Sequence, residues 1–307
     1  ISLLQKEMRP AFGCTEPIAL AYAAAKAASV LDEFPNHIHA RCSANIIKNV
    51  KSVVIPNSGG RKGLAAATVL GAIVGHPERE LEVLESATDE DRKWLGTLLE
   101  ANFCTVELAE GVDNLYIEIT ATTDEHTAVV RIENAHTNIT YVSIDGNVIS
   151  ETINEIKEAE RSTCPMTFDS IYEFAKAGDI SGILPSIKQQ VEYNTAISNE
   201  GLSNDYGANI GRLLLLDDET PSLETKCKAR AAAGSDARMS GCPLPVVICS
   251  GSGNQGLTVS MPIITTAEEL GKTDEELYRA LVFANLLTLY VKSGIGKLSA
   301  YCGVVSA

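Results

Sequence analysis

Aromatic side chains are scarce in this 307-residue chain: they form 5% of it, with one tryptophan, Trp94. Hydrophobic residues still reach 45%, so alanine and aliphatic side chains must supply the core. Together with 23 glycines, this composition favours closely packed helices and glycine-rich loops over an aromatic-rich β-sandwich.

The sequence also lacks any run of lysine and arginine, and its formal net charge is −15. Such a charge argues against non-specific binding to nucleic acid or anionic lipid, because both attract positively charged faces. No apolar stretch is long enough to span a bilayer, and no signal peptide is visible. We therefore expect a cytoplasmic protein, and we expect its natural start to precede Ile1.

The cysteines form neither a disulfide scaffold nor a zinc motif. The chain has no CxxC pair and no His/Cys pair at zinc spacing. In a long acidic chain, thiols spread in this way indicate a reducing compartment, where some of them can bind metal. The eight are Cys14, Cys42, Cys104, Cys164, Cys227, Cys242, Cys249 and Cys302.

The most informative motif is Gly13-Cys14-Thr15-Glu16-Pro17, which precedes an alanine-rich helix predicted over residues 18–31. Thr15 is expected to cap this helix, and proline suits its first turn. The thiol of Cys14 then lies at a helix N-terminus, where the macrodipole and unpaired N–H groups favour the thiolate. Cys14 is therefore a candidate base or nucleophile; the alternative is a buried structural cysteine in a tight turn.

A first polar, glycine-rich loop contains Asn57, Ser58 and Gly59, and it leads into an apolar helix predicted over residues 64–74. Backbone N–H groups converge at such a junction and can bind an anion. The spacing is neither that of a Walker A loop nor that of a dinucleotide fingerprint. An ordinary connection between elements is the alternative interpretation.

A second glycine-rich loop contains Ser252, Asn254 and Gln255 and follows an apolar run at residues 245–249. Amide and hydroxyl groups suit the carboxylate and ammonium of an amino acid. We therefore predict substrate contacts from both loops. Upstream, Asp236 and Arg238 are as well explained by a salt bridge that holds the loop as by ligand binding.

The pattern of the remaining chain indicates an α+β fold. Residues 104–150 alternate apolar and polar side chains and predict a small antiparallel β-sheet with one solvated face. We expect a mostly helical catalytic domain built from residues 1–100 and 160–307, and a β-rich lobe at 101–159. Residues 37–56 are expected to form two extended runs. The apolar run at Ala307 indicates that the protein continues, and apolar helices leave a homodimer possible.

Six motifs, taken in chain order, resemble the L-cysteine desulfidase family, which is related to the α subunit of iron–sulfur L-serine dehydratases. The resemblance covers essentially the whole chain and implies a lyase that converts L-cysteine to pyruvate, ammonia and sulfide. It also implies a [4Fe–4S] cluster held by three cysteines, with one open iron acting as a Lewis acid. The motifs are GCTEP, SANIIKNV, PNSGG-x-KG, SDARM-x-GCPLP, GSGNQG and YCGVVSA.

By this resemblance, Cys14 is the proton acceptor at the substrate's α-carbon and Cys302 is the first cluster ligand. The other two ligands are expected beyond Ala307, which leaves the cluster incomplete in this chain. Cys242 and Cys249, seven residues apart in the sequence, are an alternative pair of ligands. An odd spacing on a strand, however, points two side chains to opposite faces.

Other functions stay open at this point. L-Serine deamination would use the same machinery, since discrimination between thiol and hydroxyl rests on pocket contacts of a few kcal/mol. A cluster-free amino-acid-binding protein could retain the fold. A cysteine-nucleophile hydrolase would need a histidine partner for Cys14, and no histidine lies in a suggestive motif. Lys48 could bind pyridoxal phosphate, but no other element of such a site is apparent.

Overall fold

The computed structural model describes residues 1–152, 166–216 and 219–294. The α+β class is confirmed: helices dominate both ends of the chain and strands its middle. The α-helices are α1 (Ser2–Glu7), α2 (Thr15–Leu31), α3 (Ala44–Val50), α4 (Leu64–Val74), α5 (Asp89–Glu100), α6 (Phe168–Ala177), α7 (Leu184–Ser203), α8 (Ile210–Leu216), α9 (Leu223–Met239), α10 (Gly253–Glu269) and α11 (Asp274–Lys292). The strands are β1 (Pro10–Phe12), β2 (His37–Cys42), β3 (Cys104–Leu108), β4 (Tyr116–Thr122), β5 (Thr127–Glu133), β6 (Ile139–Ile144), β7 (Asn147–Glu151) and β8 (Pro245–Val247). Within the described ranges, no helix combines the length and hydrophobicity that crossing a membrane requires.

The chain divides into two compact units that differ from the expected domains. One unit is residues 12–155, and the other combines residues 1–11 with 156–307. The expected division instead placed residues 1–100 with 160–307 and gave the sheet only 101–159. The physical reason is that α2 packs against both α4 and the strands β4 and β5. Helices α2 and α4 therefore belong with the sheet, whose inner face they cover.

The six-stranded sheet of the 12–155 unit has the order β3-β2-β4-β5-β6-β7. It is mixed rather than antiparallel, because β2 and β3 pair in parallel while the other neighbours are antiparallel. Parallel neighbours need a long crossover, and the chain from α3 to α5 provides it. The second extended run expected within residues 37–56 is instead helix α3. Its buried residues Ile46 and Val50 lie four apart, which is a helical spacing.

Helices α2 and α4 cross at very close range. A Cβ atom added to Gly71 of α4 would lie 2.2 Å from the carbonyl oxygen of Ala21 in α2. Alanine supplies most of the buried surface of α2, since its alanines at 19, 21, 23, 24, 25 and 27 are all fully buried. Only small residues allow two helix backbones to approach in this way, which confirms the helix packing expected from the composition.

We expect Gly71→Ala to destabilise the protein, because the new methyl group would collide with the backbone of α2, which cannot move aside. Overpacking of this kind costs roughly 1–3 kcal/mol. Gly96→Ala in α5 is a matched control, since its Cβ would meet only the flexible end of Arg61. That variant should be neutral or gain up to about 1 kcal/mol of helix propensity. Urea unfolding of the two variants measures the contrast, and equal stabilities would contradict the close crossing.

The outer face of the sheet carries a charged row across β2, β4 and β5. Glu118 accepts hydrogen bonds from Arg41 at 2.8 Å, from Arg131 at 2.8 Å and from the hydroxyl of Tyr116 at 2.8 Å. Its side chain is only 10% exposed. Burial alone would raise the pKa of Glu118, but the hydrogen bonds from Arg131, Tyr116 and Arg41 outweigh burial, and the net pKa is lowered.

A lowered folded-state pKa makes the contribution of Glu118 to stability depend on pH. The stabilisation is present above the pKa of an unfolded glutamate, about 4.3, and is lost as the pH falls through the lower folded pKa. We expect Glu118→Gln to cost roughly 1.5–3 kcal/mol at pH 7, the range for hydrogen bonds to a charged group. That cost should disappear in strong acid. Glu107→Gln is the control, because Glu107 is 57% exposed. Unfolding free energies between pH 2 and 7 (chosen to bracket a glutamate pKa) measure both, and a pH-independent cost would refute the assignment.

The other unit is a helical layer assembled around β8, which pairs with β1. Helix α7 packs against α9, α10, α11 and β8. Buried amides connect these elements: Asn194 accepts from the backbone N–H of Val247 at 2.9 Å and donates to Ser260 at 2.9 Å. Gln190 and Asn285, both fully buried, exchange two amide hydrogen bonds. Satisfied networks of this kind fix how the helices dock.

Candidate functional site

Cys14 is the N-cap residue of α2, so the helix begins earlier than predicted and Thr15 is its first helical residue rather than its cap. Cys14 is 7% exposed. Its thiol donates a hydrogen bond to Oε2 of Glu16 at 3.1 Å, and the Thr15 hydroxyl donates to the same oxygen at 3.1 Å. Because Glu16 engages that hydroxyl, Thr15 does not use it to cap the helix. The structure thus places Cys14 at a helix N-terminus, as the motif predicted.

Glu16 receives hydrogen bonds on both carboxylate oxygens. Its Oε1 accepts from the side-chain amide of Asn49 in α3 at 3.2 Å. A carboxylate in the first turn of a helix is stabilised by the macrodipole. Sulfur, as the hydrogen-bond donor, carries the proton that Cys14 and Glu16 share. Transfer of that proton to Glu16 would convert Cys14 into a thiolate without moving either side chain.

The turn that leads into Cys14 is shaped by Gly13, which packs directly on Pro56 at the start of the first glycine-rich loop. Gly13 has φ +79°, and an added Cβ would lie 2.0 Å from Cγ of Pro56. Both the left-handed backbone and the lack of space therefore require glycine at this position. The contact brings the Cys14 turn beside the loop that holds Asn57 and Ser58.

We expect Gly13→Ala to destabilise the 12–155 unit more than Gly111→Ala. Gly111 has a similar φ of +72°, but nothing lies within 4 Å of its added Cβ. Gly111→Ala therefore reports the backbone strain alone, about 1–2 kcal/mol, and the excess for Gly13→Ala reports the collision with Pro56. Thermal and urea unfolding measure both variants. Equal losses of stability would show that the turn moves away from Pro56 freely.

The loop at residues 57–63 uses its side chains to hold itself together. The amide of Asn57 donates to the carbonyl oxygens of Leu84 at 3.1 Å and Glu85 at 3.0 Å. Ser58 is fully buried and its hydroxyl donates to the carbonyl of Ile55 at 2.7 Å. Gly59, in contrast, is exposed with φ +72°. The substrate role of these three residues stays a prediction. Gly59 can offer a ligand only its exposed backbone groups.

The second predicted loop is shorter than expected, because α10 begins at Gly253. Ser252 is the N-cap, and its hydroxyl accepts from the backbone N–H of Gln255 at 3.3 Å. Asn254 and Gln255 therefore lie in the first helical turn and not in a loop. An N-cap serine directly before the helix is the sequence signal for this start. The first backbone N–H groups of α10, which have no partner within the helix, therefore lie among the residues predicted to contact the substrate.

Arg238, at the end of α9, contacts this turn. Its Nη1 donates to Oδ1 of Asn254 at 3.0 Å, and the residue is 2% exposed. The salt bridge between Asp236 and Arg238 considered from the sequence is not formed, since Asp236 instead accepts from the backbone N–H of Ile210 at 3.0 Å. A Cβ on Gly253 would lie 2.2 Å from Nε of Arg238, so the glycine makes room for the guanidinium.

The described residues do not supply a ligand set for an iron–sulfur cluster. Cys302, the proposed first ligand, lies outside the described residues. Within them, no group of three or more cysteine, histidine or carboxylate side chains is placed to hold a metal ion. Burial raises the pKa of the Cys249 thiol to about 12, and burial also raises the pKa of Cys242 despite opposing hydrogen bonds from Tyr206 and Leu244. Both thiols are buried, and their role as an alternative pair of ligands stays a prediction.

The serine dehydratase alpha chain family matches residues 78–307. The chain belongs to this family. A UPF0597 protein of Lachnoclostridium phytofermentans is 45% identical over 310 residues, which cover 100% of this chain and 74% of the relative. UPF0597 proteins of Finegoldia magna and Desulfitobacterium hafniense are 47% and 43% identical over 99% and 100% of this chain, and over 73% and 72% of their own lengths. No solved structure matches the chain.

Sequence reasoning located Cys14 but missed the residues that hold it. Glu16 was in the same motif, and an acid in the first turn of a helix beside a cysteine was the available signal. Asn49 gave none, because its segment was interpreted as extended. Arg238 was considered either as a salt-bridge partner for Asp236 or as a ligand-binding residue, and its contact with Asn254 was not expected.

Proposed function

We propose that this member of the serine dehydratase alpha-chain family is a lyase that eliminates the β-substituent of a small α-amino acid. L-Cysteine is the first choice of substrate, with pyruvate, ammonia and sulfide as products. The observation that carries the proposal is the thiol of Cys14, held at the N-terminus of α2 by a hydrogen bond to Glu16. A group that accepts an α-proton is what such an elimination needs.

In this proposal Cys14 first passes its proton to Glu16 and becomes the thiolate. The thiolate then takes the proton from the substrate's α-carbon, and the released electron pair forms the Cα=Cβ bond as the Cβ–S bond breaks. The sulfur leaves as hydrosulfide. The resulting aminoacrylate tautomerises to an imine, and one water molecule hydrolyses it to pyruvate and ammonia. Glu16 acts as the proton acceptor for Cys14, and Asn49 holds Glu16 in position.

The substrate contacts remain those proposed from the sequence. They are Asn57, Ser58 and Gly59 of the first glycine-rich loop and Ser252, Asn254 and Gln255 at the start of α10. The family resemblance further implies a [4Fe–4S] cluster with Cys302 as one ligand. None of the steps above is assigned to that cluster, because Cys302 lies outside the described residues.

The proposal is tested by incubating the protein anaerobically with L-cysteine while pyruvate and sulfide are measured. We expect Cys14→Ser to lower turnover by about 10²–10⁴-fold, the usual contribution of a general base. Cys104→Ser is the matched control, because burial raises the pKa of that thiol to about 12 and excludes it as a base at neutral pH. A Cys14→Ser protein that turns over at the wild-type rate would remove Cys14 from the mechanism.

L-Serine is the second candidate substrate, and the description of the matching family favours it. Hydroxide would then leave in place of hydrosulfide, with the same base. The same assay with L-serine separates the two reactions: pyruvate from serine alone would reassign the protein as a dehydratase. Binding of an amino acid without any pyruvate would leave a binding protein of this fold and refute the lyase proposal.

A further inference from the structure

Arg238 is a buried cation whose hydrogen-bonding capacity is incompletely used. Its Nη1 donates to Asn254 and contacts the sulfur of Met239 at 3.6 Å. Its Nε is buried and has no hydrogen-bond acceptor among the residues that the structure describes. Nor does any carboxylate of the described chain form a salt bridge with it. Burying a guanidinium without a paired carboxylate lowers the stability of the folded protein, unless another group supplies the negative charge.

A neighbouring arginine shows the usual arrangement. Arg230 lies on the same helix α9, and its guanidinium pairs with Glu268 and donates to Thr265. The fully buried amides of Gln190 and Asn285 are likewise paired with each other. The open Nε of Arg238 contrasts with these paired groups.

A second open group lies in the same turn. The Oε1 atom of Gln255 is buried and receives no hydrogen bond from the residues that the structure describes. Arg238 Nε is a donor without an acceptor, and Gln255 Oε1 is an acceptor without a donor. A ligand that carries both a negative and a positive group would complement the two.

The turn has the other properties of an anion site. The 17-residue helix α10 directs its N-terminal dipole and its first N–H groups here. Ser250 and Gly251 just before it have φ of +51° and +76°, which turns the chain sharply into the helix. Gly251, Ser252 and Asn254 are partly exposed, so the buried guanidinium lies behind a turn that solvent reaches.

We propose that Arg238 and the N-terminus of α10 bind the carboxylate of a small α-amino acid, with Gln255 accepting a hydrogen bond from its ammonium group. The carboxylate supplies the acceptor that Nε lacks and the charge that balances the guanidinium. That this amino acid is the substrate rests on the proposed function, whereas the binding does not. Arg238 thereby selects for a free carboxylate.

The test compares two ligands on two variants. L-Alanine has no leaving group and cannot be eliminated, and L-alaninamide differs from it by replacing the carboxylate with a neutral amide. Calorimetric titration of the wild-type protein should show tighter binding of L-alanine. Arg238→Met should weaken L-alanine binding about 10–100-fold, as expected for lost hydrogen bonds to a charged group, and leave L-alaninamide binding unchanged.

Arg230→Met is the matched control on the same helix and should change neither affinity. Equal affinity of the wild-type protein for both ligands, or no binding of L-alanine, would overturn the proposal without any variant. So would an equal loss for both ligands in Arg238→Met, which would indicate general damage. If that variant does not fold, Arg238→Lys keeps the charge, loses Nε and should still lower the preference for L-alanine.

The turnover assay separates this proposal from the proposed function. Selective loss of L-alanine binding in a protein that makes no pyruvate would support the carboxylate site and refute the lyase. Pyruvate formation with an unchanged KM in Arg238→Met would support the lyase and refute Arg238 as a contact of its substrate.

Discussion

The close crossing of α2 and α4 is the constraint on which the 12–155 unit depends. It exists because alanine fills α2 and glycine stands at position 71, so two helix backbones touch without intervening side chains. Helix α2 is thereby enclosed between α4 and the inner face of the sheet. Its N-terminus carries Cys14, which is 7% exposed. In the turn before the helix, Gly13 likewise allows close packing, in this case against the ring of Pro56.

Charge is stabilised in three different ways in this molecule. Glu118 lies between two arginines on the sheet, and Glu16 combines a helix terminus with the amide of Asn49. Arg238 has only amide and sulfur contacts from the described residues. The first two arrangements are complete within the protein, which makes them suited to structure and to holding a thiol. In the proposal made above the carboxylate of a ligand completes the third, and this difference separates a structural charge from one that binds a ligand.

The sequence predicted those parts of the fold that local patterns determine. Helix α4, for example, occupies the predicted residues 64–74. The parallel pairing of β2 with β3 was not predictable from alternation, because alternation is the same in either direction. Helix α3 was missed because ANIIKNV is rich in β-branched residues, and only burial at a four-residue spacing decides for the helix.

The candidate site, like the fold, has one part that local sequence patterns predict and another that they do not. The position of Cys14 followed from one motif, since helix starts are encoded locally. The partners of Arg238 depend on how α9 meets α10, and no local pattern encodes that meeting. The expected contact with Asp236 was plausible in sequence, yet two residues apart on a helix do not face each other.

The charged row on the sheet also restricts how the strands can misassemble. Arg41, Glu118 and Arg131 are directly opposite one another in the pairing of β2, β4 and β5. A slip of β4 by one residue would turn Glu118 into the aliphatic layer beneath α2 and bring Ile117 and Ile119 to the water side. Such a slipped sheet would bury an uncompensated carboxylate and strand two guanidinium groups. The charged row therefore disfavours the slipped register and helps to specify the native pairing of β2, β4 and β5.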